Sequence, residues 1–232
     1  MKATRGGDIV LFTSPAGADN WIRTSSIQAG VNDRTQLESA RHADTVWIWT
    51  FGSAGAKLVD GRWSHWTRPC LGPDERLDAV RAPTGRDLVA LCESRPVDTP
   101  SKIRYRLLVS HDGGETFADR RVPEALKVAL IGAATADDIV VEADGAIVTS
   151  HDGGQRWTQT YKPADTGGLA SYGDFSIGGD DWPGFVTPTD GFVMETRQFG
   201  AATGSSYRRE QSLLATHDAG RTWTRIAFTD LG

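Results

Sequence analysis

The sequence predicts an all-β fold assembled from repeated antiparallel hairpin units. Three observations carry that expectation: an eight-residue motif that recurs three times, apolar stretches that are short, and 26 Gly and 8 Trp among 232 residues that include only 2 Met. Glycine in that number implies many tight turns, and tryptophan supplies large aromatic plugs for them.

The motif comes first because a missed period miscalls a whole fold. Residues 110–117 read SHDGGETF, residues 150–157 read SHDGGQRW and residues 216–223 read THDAGRTW, all of the form Ser/Thr-x-Asp-x-Gly-x-x-aromatic. Degraded copies are expected at 13–21, TSPAGADNW, with Pro15 in the Asp place, and at 58–66, LVDGRWSHW, which keeps Asp60 and Trp66. The octet reads as a self-stabilised turn. Asp112, Asp152 and Asp218 accept backbone N–H groups just ahead, and Ser110, Ser150 and Thr216 do likewise. Gly114, Gly154 and Gly220 supply the positive φ that a side chain resists. Phe117, Trp157 and Trp223 then begin the next strand and fold back under the turn.

The flanking stretches read as strands: Ile9 to Phe12, Thr45 to Phe51, Asp87 to Cys92, Ile103 to Val109, Asp138 to Glu142, Ala146 to Thr149, Gly191 to Glu195 and Ser212 to Ala215. In Ile103 to Val109, residues Ile103, Tyr105, Leu107 and Val109 share one face. Asp144-Gly145 between two apolar runs is a hairpin signal. Thr35 to Arg41 and Asp74 to Ala82 are the two stretches with a helical alternative, and strands fit them equally. With Asp60, Asp112, Asp152 and Asp218 as phase markers, the spacings are 52, 40 and 66. Four-stranded units of that length are β-propeller blades. The expected architecture is one β-propeller domain over 1–232 with about five blades, at 37–68, 75–122, 127–162 and 173–229, and an incomplete first blade at 8–25. A six- or seven-bladed parent, of which this would be the C-terminal part, is the alternative.

The octets resemble the Asp-box, or bacterial neuraminidase (BNR), repeats of sialidases, sortilin-type receptors and photosystem II assembly factors, all of them β-propellers. The resemblance covers roughly residues 75 to 232 and is weaker over the first third. It implies that each box joins the third and fourth strands of a blade and that its residues are structural. A catalytic reading of Asp112, Asp152 and Asp218, or a metal-binding reading of His111, His151 and His217, fails on placement: equivalent residues on three blades cannot converge on one ion or bond. No metal and no cofactor is expected.

Hairpin loops alternate between the two ends of a blade, so the loop between strands two and three lies opposite the boxes. Two such loops read as long, Glu93 to Lys102 and Thr196 to Glu210, and loops on a rigid scaffold are where binding residues concentrate. They carry Arg95, Asp98, Lys102, Arg197, Tyr207, Arg208, Arg209 and Glu210. One reading is solvated loop charge. The functional one is a carboxylate- or sugar-binding face with Arg95, Lys102, Arg197, Arg208 and Glu210 as polar contacts and Tyr207 as a stacking platform.

A sialidase of the resembling family would need an arginine cluster, a Tyr–Glu nucleophile pair and an Asp acid. The family's Phe/Tyr-Arg-Ile-Pro motif is missing, Arg121-Val122-Pro123 follows a box and does not precede one, and Tyr207 with Glu210 is only a loose pair. The expected function is therefore a non-catalytic or vestigial propeller that binds a protein or glycan; the alternative is an exo-sialidase-like glycoside hydrolase intact only in a longer chain. An assembly-factor role shares the repeats and has no diagnostic residue. Net charge −5 argues against a nucleic-acid partner, and the longest apolar run, Leu88 to Cys92, is far short of a membrane span. No secretory leader is read at the N-terminus, and a secreted or cell-envelope home stays open if the chain continues upstream. Cys70 and Cys92 are expected to be unrelated thiols, with one disulfide as the alternative.

Overall fold

The computed structural model describes residues 8–15, 17–28, 37–50, 55–72, 74–95, 103–123, 131–143, 146–162, 184–199 and 208–226. Every regular element among them is a strand. The chain forms two compact units, Met1–Asp119 and Arg120–Gly232. The fold class is that of an all-β β-propeller, with antiparallel sheets as its blades.

The first unit begins with a two-stranded sheet, β1 (Asp8–Thr13) and β2 (Ile22–Gln28). A four-stranded sheet follows, β3 (Leu37–His42), β4 (Thr45–Thr50), β5 (Gly55–Val59) and β6 (Arg62–His65), and then another, β7 (Glu75–Arg81), β8 (Leu88–Ser94), β9 (Arg104–Ser110) and β10 (Ala118–Arg120). The second unit holds a four-stranded sheet of β11 (Ile131–Ala133), β12 (Ile139–Ala143), β13 (Ala146–Ser150) and β14 (Thr158–Tyr161), and a three-stranded one of β15 (Gly191–Phe199), β16 (Arg208–Thr216) and β17 (Thr224–Ile226). Strands pair with their sequence neighbours throughout, the meander of a propeller blade. Both stretches with a helical alternative are strands, β3 and β7. Ala143 pairs with Ala146 across Asp144-Gly145, which lie outside the described residues.

The face of β9 shared by Leu107 and Val109 is not the only buried one of this strand. Leu107, Leu108 and Val109 are all buried, because β9 is a middle strand covered on both faces. Two clusters build the core of the first unit. Leu11, Ile27, Ile48 and Ala56 join the first two sheets. Ala40, Trp47, Trp49, Trp66, Leu77, Val80, Leu88, Ala90 and Leu108 join the second and third. Within that second cluster Cys70 and Cys92 form a disulfide, with Cα atoms 5.6 Å apart. The expectation of unrelated thiols is corrected. The register that sets Cys92 opposite Leu77 places it beside the segment that enters β7, a proximity that sequence spacing does not carry. In the second unit Val140, Ile147, Val193 and Leu214 pack with Tyr161, Phe185 and Trp223.

The three octets each join the last two strands of their sheet, β9 to β10, β13 to β14 and β16 to β17. In the first, Ser110 Oγ donates to Asp112 Oδ1 at 2.8 Å and accepts the Gly114 N–H at 2.9 Å. Asp112 accepts the N–H groups of Glu115 and Thr116 and, at 2.6 Å, the Thr116 hydroxyl. Ser150 and Asp152, with Gly154, Gln155 and Arg156, repeat the pattern, as do Thr216 and Asp218 with Gly220 and Thr222. These bonds hold the carboxylates below the usual range. Thr116 is the main cause at Asp112 and Arg156 at Asp152; at Asp218 burial pulls upward, and the Thr222 and Thr216 bonds outweigh it.

Each octet is also clasped by the turn that leads into β8, β12 or β15. In Thr84–Asp87, Thr135–Asp138 and Thr187–Asp190 the threonine hydroxyl accepts two backbone N–H groups and donates to the aspartate. The aspartate's second oxygen meets a box histidine: Asp87 with His111 Nδ1 at 2.9 Å, Asp138 with His151 at 2.6 Å, Asp190 with His217 at 2.6 Å. A backbone bond closes each clasp, from the N–H of Gly113, Gly153 or Ala219 to the carbonyl of Arg86, Asp137 or Thr189. The shared histidine of the octet is thus a tie between the two turns at one end of a blade.

The aromatic plug differs from the expectation. The indole beneath the Gly114 turn is Trp66, from the preceding blade, whose Nε1 donates to the Gly114 carbonyl at 3.1 Å while Trp47 Nε1 donates to that of Gly113 at 3.2 Å. Phe117 and Trp223 pack into the clusters of their own units, and Trp157 Nε1 donates to the Arg121 carbonyl. Of the two degraded copies, 58–66 is a two-residue hairpin turn. Asp60 and Gly61 both have positive φ, at 50° and 73°, and Val59 pairs with Arg62. At 13–21 the box bonding is not kept among the described residues: Ser14, in the position between Thr13 and Pro15, accepts the Asn20 N–H six residues on, and Trp21 lies exposed.

Candidate functional site

At the end of the third blade opposite its box, three neighbouring strands bring polar side chains to one level. Register sets Arg76 on β7 opposite Glu93 on β8, and Glu93 opposite Tyr105 on β9. Side chains opposite each other in an antiparallel sheet share a face. The ladder skips Asp78 between Leu77 and Ala79, so Asp78 is the extra residue of a bulge, which re-aims a side chain. Its carboxylate lies 3.2 Å from Arg76 Nη2.

Glu93 is the centre of the group, with 2% of its surface exposed. Arg76 Nη2 donates to Glu93 Oε2 at 2.6 Å, and Arg95 Nε donates to Glu93 Oε1. A buried carboxylate needs such partners, and removing one would strand the charge. The two guanidinium groups are held but not enclosed: 54% of the Arg95 side chain is exposed, and 39% of Arg76. Burial, opposed by Arg76 and reinforced by Glu93, raises the Asp78 carboxyl above its ordinary value. Burial and then the Glu93 charge push the Tyr105 hydroxyl up to about 12. Tyr105 is therefore a neutral phenol at physiological pH: Arg76 and Arg95 pull its hydroxyl down by less than burial and Glu93 push it up, and the balance does not activate it as a nucleophile.

On the other face of the same blade, Arg106 pairs with Glu75 at 2.9 Å and with Asp119 at 3.4 Å. Both guanidinium sets thus stand at the strand-two to strand-three end of this blade, the end at which the sequence leads one to expect a ligand face. Among the described residues no three His, Cys, Asp or Glu side chains are grouped to hold a metal ion, and no helix is long and apolar enough to cross a membrane.

Of the residues expected on that face, Arg95 sits at the end of β8 in the Glu93 group. Lys102, Asp98 and Tyr207 lie outside the described residues. The stretch from Thr196 to Glu210 is less of a loop than expected: β15 and β16 stay paired out to Phe199 opposite Arg208. Arg197 is directly opposite Glu210, and Gln198 opposite Arg209. Sequence reasoning missed Arg76, Asp78 and Tyr105, and took Glu93 for the first residue of a loop. The signal for Glu93 was its place directly after the apolar run Leu88 to Cys92, a charge where a strand continues.

No family model matches the chain, and no curated protein matches it. Among solved structures it is similar to YCF48 bound to D1 peptide, with a TM-score of 0.46, 14% identity, and 95% of this chain and 75% of that chain covered. It is also similar to YCF48 from Cyanidioschyzon merolae, with a TM-score of 0.39, 11% identity, and 90% and 76% covered.

Proposed function

We propose that this chain is a non-catalytic β-propeller scaffold that binds a protein or glycan partner at the strand-two to strand-three end of its blades. The observation that carries this reading is the Glu93 group. A buried carboxylate fixes two partly exposed guanidinium groups, and preorganised arginine donors are suited to carboxylate, amide and hydroxyl recognition. The further contacts that this reading proposes, each on its own blade, are Lys102 in the first unit and Arg197, Tyr207, Arg208 and Glu210 in the second. The raised Tyr105 hydroxyl and the absence of the Phe/Tyr-Arg-Ile-Pro motif favour binding over sialidase chemistry.

The test combines a fluorogenic sialoside assay with glycan and peptide arrays, on wild type, Arg95→Ala and Arg208→Ala. The expected result is no turnover, with array binding that either substitution weakens by about tenfold, the loss of one charge-assisted contact. Sialoside turnover abolished by Arg208→Ala would overturn the scaffold reading. Array binding unchanged in both variants would move the partner to another surface.

A further inference from the structure

The clasp of the third blade borders an open cleft of about 510 Å³, lined by Thr84, Gly85, Arg86, Asp87 and His111. It lies at the opposite end of β8 from Glu93, so it is independent of the function proposed above. The bonding within the clasp decides which groups remain available to a ligand. One Asp87 oxygen accepts the Thr84 hydroxyl, and the other meets His111 Nδ1 at 2.9 Å. The Thr84 oxygen in turn accepts the N–H groups of Arg86 and Asp87. Two groups are left over. The His111 side chain is 59% exposed, and its Nε2 has no partner among the described residues. Arg86 is exposed, and its guanidinium has neither a hydrogen bond nor an ion pair among them. Its backbone alone serves the fold, through the N–H bonded to Thr84 and the carbonyl that accepts the Gly113 N–H at 2.7 Å.

We propose that this cleft binds a phosphate group, with the Arg86 guanidinium and His111 Nε2–H as its donors. Charge selects an anion. With Nδ1–H donating to Asp87, a proton taken up at Nε2 makes that atom a second outward donor. Lys57 stands beside the same turn, its Nζ donating to the Gly113 carbonyl at 2.9 Å. Arg86, Lys57 and a protonated His111 then outnumber Asp87, whose two oxygens are already engaged. A phosphate dianion takes a guanidinium fork and a second cation together, whereas one fork satisfies a carboxylate. The other two clasps lack the fork. The residue whose carbonyl accepts the box N–H is Arg86 here, but Asp137 beside His151 and Thr189 beside His217. Arg221, 3.7 Å from Asp138, is already bonded to the Asp218 carbonyl.

The probe is inorganic phosphate, titrated at constant pH and ionic strength into ¹⁵N-histidine protein and followed by NMR, with acetate in a parallel titration. The His111 Nε2 signal is expected to move along a saturating curve while those of His151 and His217 stay nearly still, as controls within the same molecule. Acetate is expected to bind about tenfold or more weakly, for want of the second charge. Arg86→Gln, at a side chain that holds nothing in the fold, weakens phosphate binding by about tenfold, the scale of one charge-assisted hydrogen bond, and leaves the urea midpoint unchanged. A blocked phosphoserine peptide identifies the source: tighter binding than phosphate assigns a phosphorylated chain, equal binding the free ion, and both uphold the site. Three histidines that shift together would overturn the proposal, as would a His111 response that Arg86→Gln leaves intact. A response to acetate as strong as that to phosphate would overturn it too, since one fork would then suffice.

Discussion

Gly114→Ala tests the seating of an Asp box on the blade before it. Gly114 has φ of +87°, a region an L side chain enters at a cost of about 1 kcal/mol. A Cβ there would stand 2.7 Å from Leu88 Cδ1 and 2.7 Å from Trp66 Nε1. Both neighbours are buried, and Trp66 also donates to the Gly114 carbonyl, so neither can swing into solvent. Forcing a methyl into such a site costs about 2 kcal/mol more. The expected loss is about 3 kcal/mol, a large share of a typical stability of roughly 5–15 kcal/mol. Gly61 supplies the control. Its φ is +73°, yet nothing lies within 4 Å of where an alanine Cβ would stand, so Gly61→Ala loses only the backbone share, about 1 kcal/mol. Urea denaturation of both variants, followed by tryptophan fluorescence, gives the comparison. Equal losses would refute the argument, because they would mean that the Gly114 turn does not rest on Trp66 and Leu88.

Three further outcomes are expected. Thr84→Val keeps the shape of the clasp while deleting a hydroxyl that makes three hydrogen bonds, and chemical denaturation should show a loss of about 1–2 kcal/mol; an unchanged midpoint would contradict the clasp. The Cys70–Cys92 bond closes a separation of 22 residues, so Cys92→Ser should lose about 3 kcal/mol, and alkylation of denatured wild type should need reductant first. Asp112, Asp152, Asp190 and Asp218 are held below their ordinary values. For such carboxylates the stabilisation is fully present above the unfolded value near 4 and is lost as pH falls through the depressed folded values. The urea midpoint should therefore drop on acidification below about pH 4, less steeply in Asp112→Asn. A midpoint that rises on acidification would have the wrong sign.

The local features of this protein were legible in its sequence and the cross-strand ones were not. Each Asp box is closed by bonds among residues at most four apart, such as Ser110 with Gly114 and Asp112 with Thr116, so its residue types alone define the turn. The strand at Ile9 to Phe12 was likewise readable from its unbroken apolar run, and it forms within β1. The clasps were hidden because their separations vary: 24 residues from Asp87 to His111, 13 from Asp138 to His151 and 27 from Asp190 to His217. The Glu93 group was hidden for a related reason. Arg76, Glu93 and Tyr105 meet only through the register of two ladders, one of which carries a bulge at Asp78. Trp66 illustrates the same limit, because the carbonyl that receives its indole N–H is 48 residues away on the next blade.

The claim that the Glu93 group binds and does not react is tested most directly at Tyr105. Its hydroxyl can be followed by NMR of ¹³C-tyrosine protein, with the resonance assigned by loss in Tyr105→Phe. Burial and the Glu93 carboxylate predict a phenol that stays protonated across the range in which the fold persists, with a midpoint near about 12. A midpoint below about 9, under the ordinary tyrosine value, would reveal an activated phenolate beside a carboxylate and contradict the account.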